Sequence, residues 1–287
     1  MSVIRIGVAL IVIVGVAGAV LVASTVRADG WDETRSFPLP EEGETLWVEV
    51  EGNAARLTIT GSDDLEAITL TTEVEGWDED EVSIDTEYND ANLLIYIDVE
   101  MGVKDALDIP QQKLDLTLTV PVQLQLSVQL DVGEVVIENV EIVDELTIET
   151  SVASVNFDGV LGEGTHRIVS DVGQIDFTGT FTDGELEIGS NVGAVKFDGE
   201  FGPTGSMDVW TDVGSVIMLF SDQSAFQIEA KAELGRVNDK LDLANRTKDS
   251  SLVGTTITGT YGALEAPDAI LTIEAQLGDI QLDDYSE

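Results

Sequence analysis

The chain has 287 residues, 43% of them apolar, with 56 acidic residues against 13 basic ones and a formal net charge of −43. Such a charge repels nucleic-acid phosphates, anionic lipid and polyanionic substrates, which excludes nucleic acid as a partner. With no cysteine and one histidine, His166, the chain has no disulfide, no cysteine zinc site and no single-chain histidine metal site or triad.

Strongly acidic chains are often disordered. Here the apolar residues alternate in strand-like runs, so the acid reads as a surface suited to high salt, where screening relieves self-repulsion. Only six lysines are present, which fits a halophile; a calcium-binding protein is the alternative.

Ile6 to Val26 is an uncharged run between Arg5 and Arg27. As a helix its 21 residues span about 31 Å, the thickness of a bilayer core. The length predicts a retained transmembrane helix, with Trp31 as an aromatic anchor at the interface. A cleaved signal peptide, with Ala17-Gly18-Ala19 as a small-residue cleavage site, is the other reading. Both put the bulk of the chain outside the cytoplasm, single-pass if the helix is retained. The expected organisation is a signal anchor or signal peptide over 1–28, an acidic stalk with Pro38 and Pro40 over 29–45, and one repeat domain over 46–287.

Val48 and Val50, then Asn53-Ala54-Ala55, then Leu57, Ile59 and Gly61 make a first repeat. Strand runs follow at Ile68 to Val74 and Asn92 to Val99, with a turn over Gly76 to Glu81 and a loop over Gly102 to Gln112. Leu114, Leu116, Leu118 and Val120 alternate up to Pro121.

From there the repeat is continuous. Its turn residues are Asp131, Ser151, Asp171, Asn191, Asp212, Glu233, Ser251 and Gln276, and the first five intervals are 20 or 21 residues. Apolar residues sit five and three places before each turn (Leu186 and Ile188) and four and six places after it (Val195 and Phe197). Period-two alternation means strands with one buried and one wet face. So short a period predicts an all-β, single-domain parallel β-solenoid of about eight 20-residue coils, like strands about 4.8 Å apart. An antiparallel meander is the runner-up. The Ser251 repeat is degenerate, with Gly254 one place late, and the Gln276 repeat is expected to close the array.

The Val-Glu-Val-Glu-Gly…Leu-Thr-Ile-Thr-Gly unit, the Leu114 to Pro121 strand and the later Asp/Ser/Asn-Val-Gly-x-Val/Ile units resemble a family of adhesin-like β-strand-repeat, or toast-rack, domains. The resemblance covers about Leu46 to Asp284. It implies a right-handed β-helix-like fold, an envelope-associated setting and a possible role in envelope stress, and it supplies no catalytic motif.

Candidate sites are few. Asp131, Asp171 and Asp212 could share a hard cation, but neutral Ser151 and Asn191 interrupt them, and Asp, Asn and Ser favour turns for their own backbone bonds. His166 takes the place of Leu146 and Leu186 and reads as a strand residue. Trp210 lies outward by alternation and could form a partner-contact patch with Phe220 and Tyr261. Asp176, Asp198 and Glu187 could pair as hydrolytic carboxylates, yet a β-helix enzyme for acidic polysaccharide needs a basic cleft that the basic residues do not supply. The expected function is a structural, adhesive or envelope-associated binding role without catalysis or cofactor. The expected partners are the membrane, through Ile6 to Val26, and an unknown protein or glycan. A carbohydrate-active enzyme and a calcium-dependent module are the alternatives.

Overall fold

The computed structural model describes residues 7–15, 18–27, 30–77, 81–100, 112–263 and 267–285. Every regular element among them is a strand, and the chain divides into two compact units, Met1–Val140 and Glu141–Glu287. The repeat region therefore spans two units where the spacing alone suggests one domain.

In the N-terminal unit, β1 (Gly7–Gly15), β2 (Gly18–Arg27), β3 (Gly30–Phe37), β5 (Ile68–Glu75) and β8 (Lys113–Pro121) pair antiparallel in that order. The transmembrane helix expected over Ile6 to Val26 is thus replaced by a β-hairpin in the described part of that run. No helix among the described residues is long and apolar enough to cross a membrane. The run is rich in valine and isoleucine, whose β-branching limits χ1 in a helix and suits a pleated strand. The stalk expected over 29–45 likewise contributes a strand. β3 is paired on both sides, Phe37 is buried, and Arg35 binds Glu33 while its Nη1 donates to the Ile84 carbonyl at 2.7 Å.

β4 (Leu46–Ser62) carries the first repeat. Its first half pairs in parallel with β7 (Asn92–Val99), its second half with β8, and nearly its whole length with the start of β9 (Gln123–Val172). The register joins Val48 to Leu126 and Ile59 to Ile137, so the first repeat stacks on the Asp131 repeat. Asn53 locks the bend between the halves: its amide donates to Asp98 and to the Val99 carbonyl, and its oxygen accepts the Val99 N–H. β6 (Val82–Asn89) closes this side antiparallel to β7. Half of the expected turn at Gly76 to Glu81 and nearly all of the loop at Gly102 to Gln112 lie outside the described residues.

The C-terminal unit is built on two parallel ladders. One runs from the end of β9 through β11 (Glu185–Val192), β13 (Ser206–Val213) and β19 (Ile270–Leu277) to β15 (Phe226–Leu234). The other runs from β9 through β10 (Ile175–Phe181), β12 (Val195–Phe201), β14 (Val216–Phe220) and β20 (Ile280–Asp284) to β16 (Val237–Asp239). Equivalent residues of successive repeats are partners, as Phe157, Phe177 and Phe197 show.

Two expectations about order change. The Gln276 repeat does not close the array; its strands lie between those of the Asp212 and Glu233 repeats. The Ser251 repeat is not a parallel member at all. Its strand β18 (Thr255–Tyr261) runs antiparallel to β15, and β17 (Ala244–Ser250) pairs antiparallel with β18. All seven residues of β17 are exposed, and Arg246 and Lys248 on this edge discourage further strand addition.

The core follows from the register. Phe157, Phe177 and Phe197 stack face to face at 5.0 Å per step. A second stack joins Phe181, Phe201 and Phe226 at 5.6 Å per step, and Phe220 meets Phe226 at 4.6 Å. Each stacked pair adds to the area its rings bury. The turn glycines are required by proximity: a Cβ on Gly193 would stand 1.8 Å from the Gly173 carbonyl oxygen, and one on Gly214 1.8 Å from that of Gly193. Phe177→Ala is expected to cost about 3–5 kcal/mol in denaturant unfolding at fixed salt, and Gly193→Ala to destabilise the fold in the same assay because only backbone can yield.

Candidate functional site

The turn residues of the C-terminal unit form one row. The strand partners place Asn191 beside Asp171, Asp212 beside Asn191, Gln276 beside Asp212 and Glu233 beside Gln276. Carboxylates and amides therefore alternate along it. Asn191 Nδ2 donates to Asp171 at 2.9 Å and Gln276 Nε2 to Asp212 at 2.5 Å. Asp171 and Asp212 are held two strands apart with an amide between them, and Asp131 belongs to the N-terminal unit. The structure does not bring the three carboxylates together, and no cluster of three or more metal-ligating side chains occurs among the described residues.

Just inside this row lies a row of buried hydroxyls. Ser170, Ser190 and Thr211 donate to the carbonyls of Ala153, Gly173 and Gly193 at 3.0–3.1 Å. Each hydroxyl ties its turn to the preceding repeat.

His166 is 1% exposed, its ring edge-on to Phe181 at 6.1 Å. Nε2 lies 3.0 Å from the Gly162 carbonyl, and Nδ1 is buried without a hydrogen-bond partner among the described residues. Burial lowers its pKa below the ordinary 6.5, against the raising effects of the Gly162 carbonyl, Asp144 and Glu145. It sits in the interior row with Leu186, as its place in the repeat implied.

The outward face of the first ladder carries a groove of about 520 Å³ whose lining includes Arg167, Glu185, Glu187, Asp208, Trp210 and Glu274. Trp210 is its fixed element. The residue beside it on β11 is Gly189, and a Cβ there would stand 2.0 Å from the indole, so the ring lies across bare backbone. Trp210 Nε1 donates to Glu187 at 3.0 Å; Glu187 also binds Arg167, whose Nε donates to Glu149 at 3.1 Å. Burial pushes the Glu187 carboxyl up, but the hydrogen bonds from Arg167 and Trp210 and the guanidinium charge outweigh it and hold the group below its ordinary pKa. Lys231, next along from Glu274, is paired with Glu274 and Glu233. The groove is thus an acid-rimmed aromatic platform with its cations already engaged.

The other expected residues lie elsewhere. Phe220 is 0% and Tyr261 7% exposed, both within the aromatic core, so they do not join Trp210 at the surface. Phe220 ends β14, where alternation points it inward, and Tyr261 packs on it across the antiparallel cap. Asp176 and Asp198 belong to the second ladder, bound by Gln174 and by Lys196 and Tyr285 respectively, while Glu187 lies on the first. The Arg167–Glu187 clamp on Trp210 escaped the sequence reading. Its one legible signal was Gly189, standing one repeat before the tryptophan. A second hollow, of about 580 Å³, is lined by Arg236, Lys248 and the Ser250 to Thr255 turn at the cap.

No family model and no curated protein matches the chain. Among solved structures, a candidate cell adhesion protein of Clostridium sporogenes is similar over 89% of this chain and 99% of its own, at 14% identity and TM-score 0.38. A candidate adhesin of Bacteroides fragilis is similar over 87% and 96%, at 14% identity and TM-score 0.39. A candidate lipid binding protein of Parabacteroides distasonis is similar over 89% and 97%, at 12% identity and TM-score 0.24. Likeness at this level carries no functional argument.

Two outcomes follow from this geometry. Asn191→Asp places three carboxylates in consecutive strands, so melting is expected to fall by about 2–4 °C for each kcal/mol of repulsion. That loss should shrink between about 0.1 M and 1 M salt as the Debye length drops from about 10 to 3 Å. His166→Leu is expected to match or exceed the parent stability near neutrality. The parent's folded histidine has the lower pKa, so the unfolded chain takes up the proton first and the parent loses stability as pH falls below 6.5. Melting curves between pH 7 and 5 should be flatter for His166→Leu.

Proposed function

We propose that the protein is a non-catalytic binding scaffold of the cell envelope, with its bulk outside the cytoplasm, and that its partner, a protein or glycan, docks at the Trp210 groove. The observation that carries this reading is the clamped indole. A tryptophan held on Gly189 by Glu187 is ordered before any partner arrives, so little side-chain entropy is lost on binding. Tryptophan is also the residue type most enriched among interface anchors.

The in-register parallel ladders support a β-solenoid for the C-terminal unit, a rigid support for such a platform. The uncharged run at Ile6 to Val26 supports targeting to the membrane, and the net charge of −43 supports a high-salt setting. Glu187 is committed to Arg167 and Trp210, and Asp176 and Asp198 have their own partners, which favours binding over hydrolysis.

The test is retention of the full-length protein on isolated envelopes at native salt. Trp210→Ala is expected to weaken retention about thirtyfold, the equivalent of ~2 kcal/mol for an anchor residue. External protease on intact cells is expected to degrade the bulk of the chain. Undiminished retention of the variant would remove the groove from the reading, and protection from protease would remove the location.

A further inference from the structure

A second surface of the C-terminal unit is apolar. The residue after each turn residue is apolar and points outward: Val152, Val172, Val192, Val213, Leu277 and Leu234 are each 45–52% exposed. The last five are direct partners in that order. Val152 precedes them at the twenty-residue offset that pairs Val155 with Ile175. Six strands at about 4.8 Å make a continuous apolar ridge about 24 Å long. On a protein with a charge of −43, a contiguous apolar stripe of this length marks an interaction site.

The flanks of the ridge differ. On one side runs the glycine column, Gly173, Gly193, Gly214, Gly278 and Gly235, a shelf of backbone with no side chains. On the other runs the turn row, where the carboxylates of Asp171 and Asp212 stand two strands apart, about 9.6 Å by the same spacing.

The pitch selects the occupant. An extended strand repeats its side chains on one face at about 6.7 Å and falls out of step within two strands. A helix with an apolar seam at alternating third and fourth residues repeats every ~5.25 Å on average, and residues seven apart recur every ~10.5 Å. Both periods stay within about 2 Å of the ridge and of the carboxylate pair over its length. A second copy of the chain would bring a further −43 of charge to the contact. We propose that the ridge docks an amphipathic α-helix of a partner protein, its apolar seam on the valine and leucine row and the glycine shelf, its lysine or arginine flank over Asp171 and Asp212.

The probe is a synthetic Leu/Lys peptide of about 21 residues, about 31 Å as a helix. It carries leucine at the a and d positions of each heptad and lysine at the flanking positions. The comparison is a peptide of the same composition in scrambled order. Binding to the full-length protein is measured by fluorescence anisotropy in about 1 M salt, where the Debye length is about 3 Å and charge alone holds little. The heptad peptide is expected to bind at least about tenfold tighter than the scrambled one, ~1.4 kcal/mol. Val192→Ser with Val213→Ser and Leu277→Ser should abolish that difference, whereas Trp210→Ala should leave it intact, which separates this surface from the groove. Equal binding of the two peptides to the unaltered protein overturns the proposal and does not depend on the triple variant folding. It is also overturned if the parent sediments as a dimer that the triple variant loses, which makes a second copy the occupant. Co-flotation of the parent, but not the triple variant, with phosphatidylcholine vesicles makes lipid the occupant and overturns it equally.

Discussion

From the Asp171 turn onward the parallel repeats of the C-terminal unit bring a glycine (Gly173, Gly193, Gly214, Gly278 and Gly235) under a carbonyl oxygen of the neighbouring repeat, with no room for a Cβ between them. This close backbone approach sets the stacking of the turns and so the register of both ladders. The buried hydroxyls of Ser170, Ser190 and Thr211 lie against the same carbonyls, adding a side-chain bond at the point of nearest approach. Once the turns are stacked, equivalent residues must be neighbours. Phenylalanines stack on phenylalanines inside, and valines line up on valines outside.

Stacking like on like is favourable for aromatic rings and unfavourable for carboxylates. The turn row resolves the conflict by alternation: Asp171, Asn191, Asp212, Gln276, Glu233. In chain order Asp212 would have met Glu233 directly. The chain instead returns late and lays the Gln276 repeat between them, so that an amide faces each acid. A protein with so large a negative charge has reason to avoid a column of adjacent carboxylates, because at that spacing screening is least effective. The same return leaves β15 as the last parallel strand, where the antiparallel β18 and the charged β17 cover the growing edge.

The aromatic residues show how one residue type serves two ends. Phe220 and Tyr261 lie in the core with the phenylalanine stacks. Trp210, on the outward side of its strand, has only Gly189 beneath it and Glu187 at its nitrogen. The difference is one of parity along the strand and of what the preceding repeat presents. Arg167 completes the arrangement by holding Glu187 in its charged form beside the indole.

Strand parity, the twenty-residue period, the interior place of His166 and the outward place of Trp210 were all legible in the amino-acid order, because alternation and spacing are properties of the chain itself. The first repeat was legible as a repeat, but its partnership with the Asp131 repeat was decided only by the tertiary structure. So was the ordering of the last repeats. Gln276 carries the same local pattern wherever its strand inserts, and only contacts between distant segments choose the place. Nor could the run from Ile6 to Val26 be settled by hydropathy, since length and apolarity fit a helix while β-branching fits the observed hairpin. Phe220 and Tyr261 were misplaced at the surface although each keeps the inward parity of its strand, Phe220 with Val216 and Met218, and Tyr261 with Ile257. The clamp on Trp210 needed three strands side by side before Arg167, Glu187 and the indole could meet.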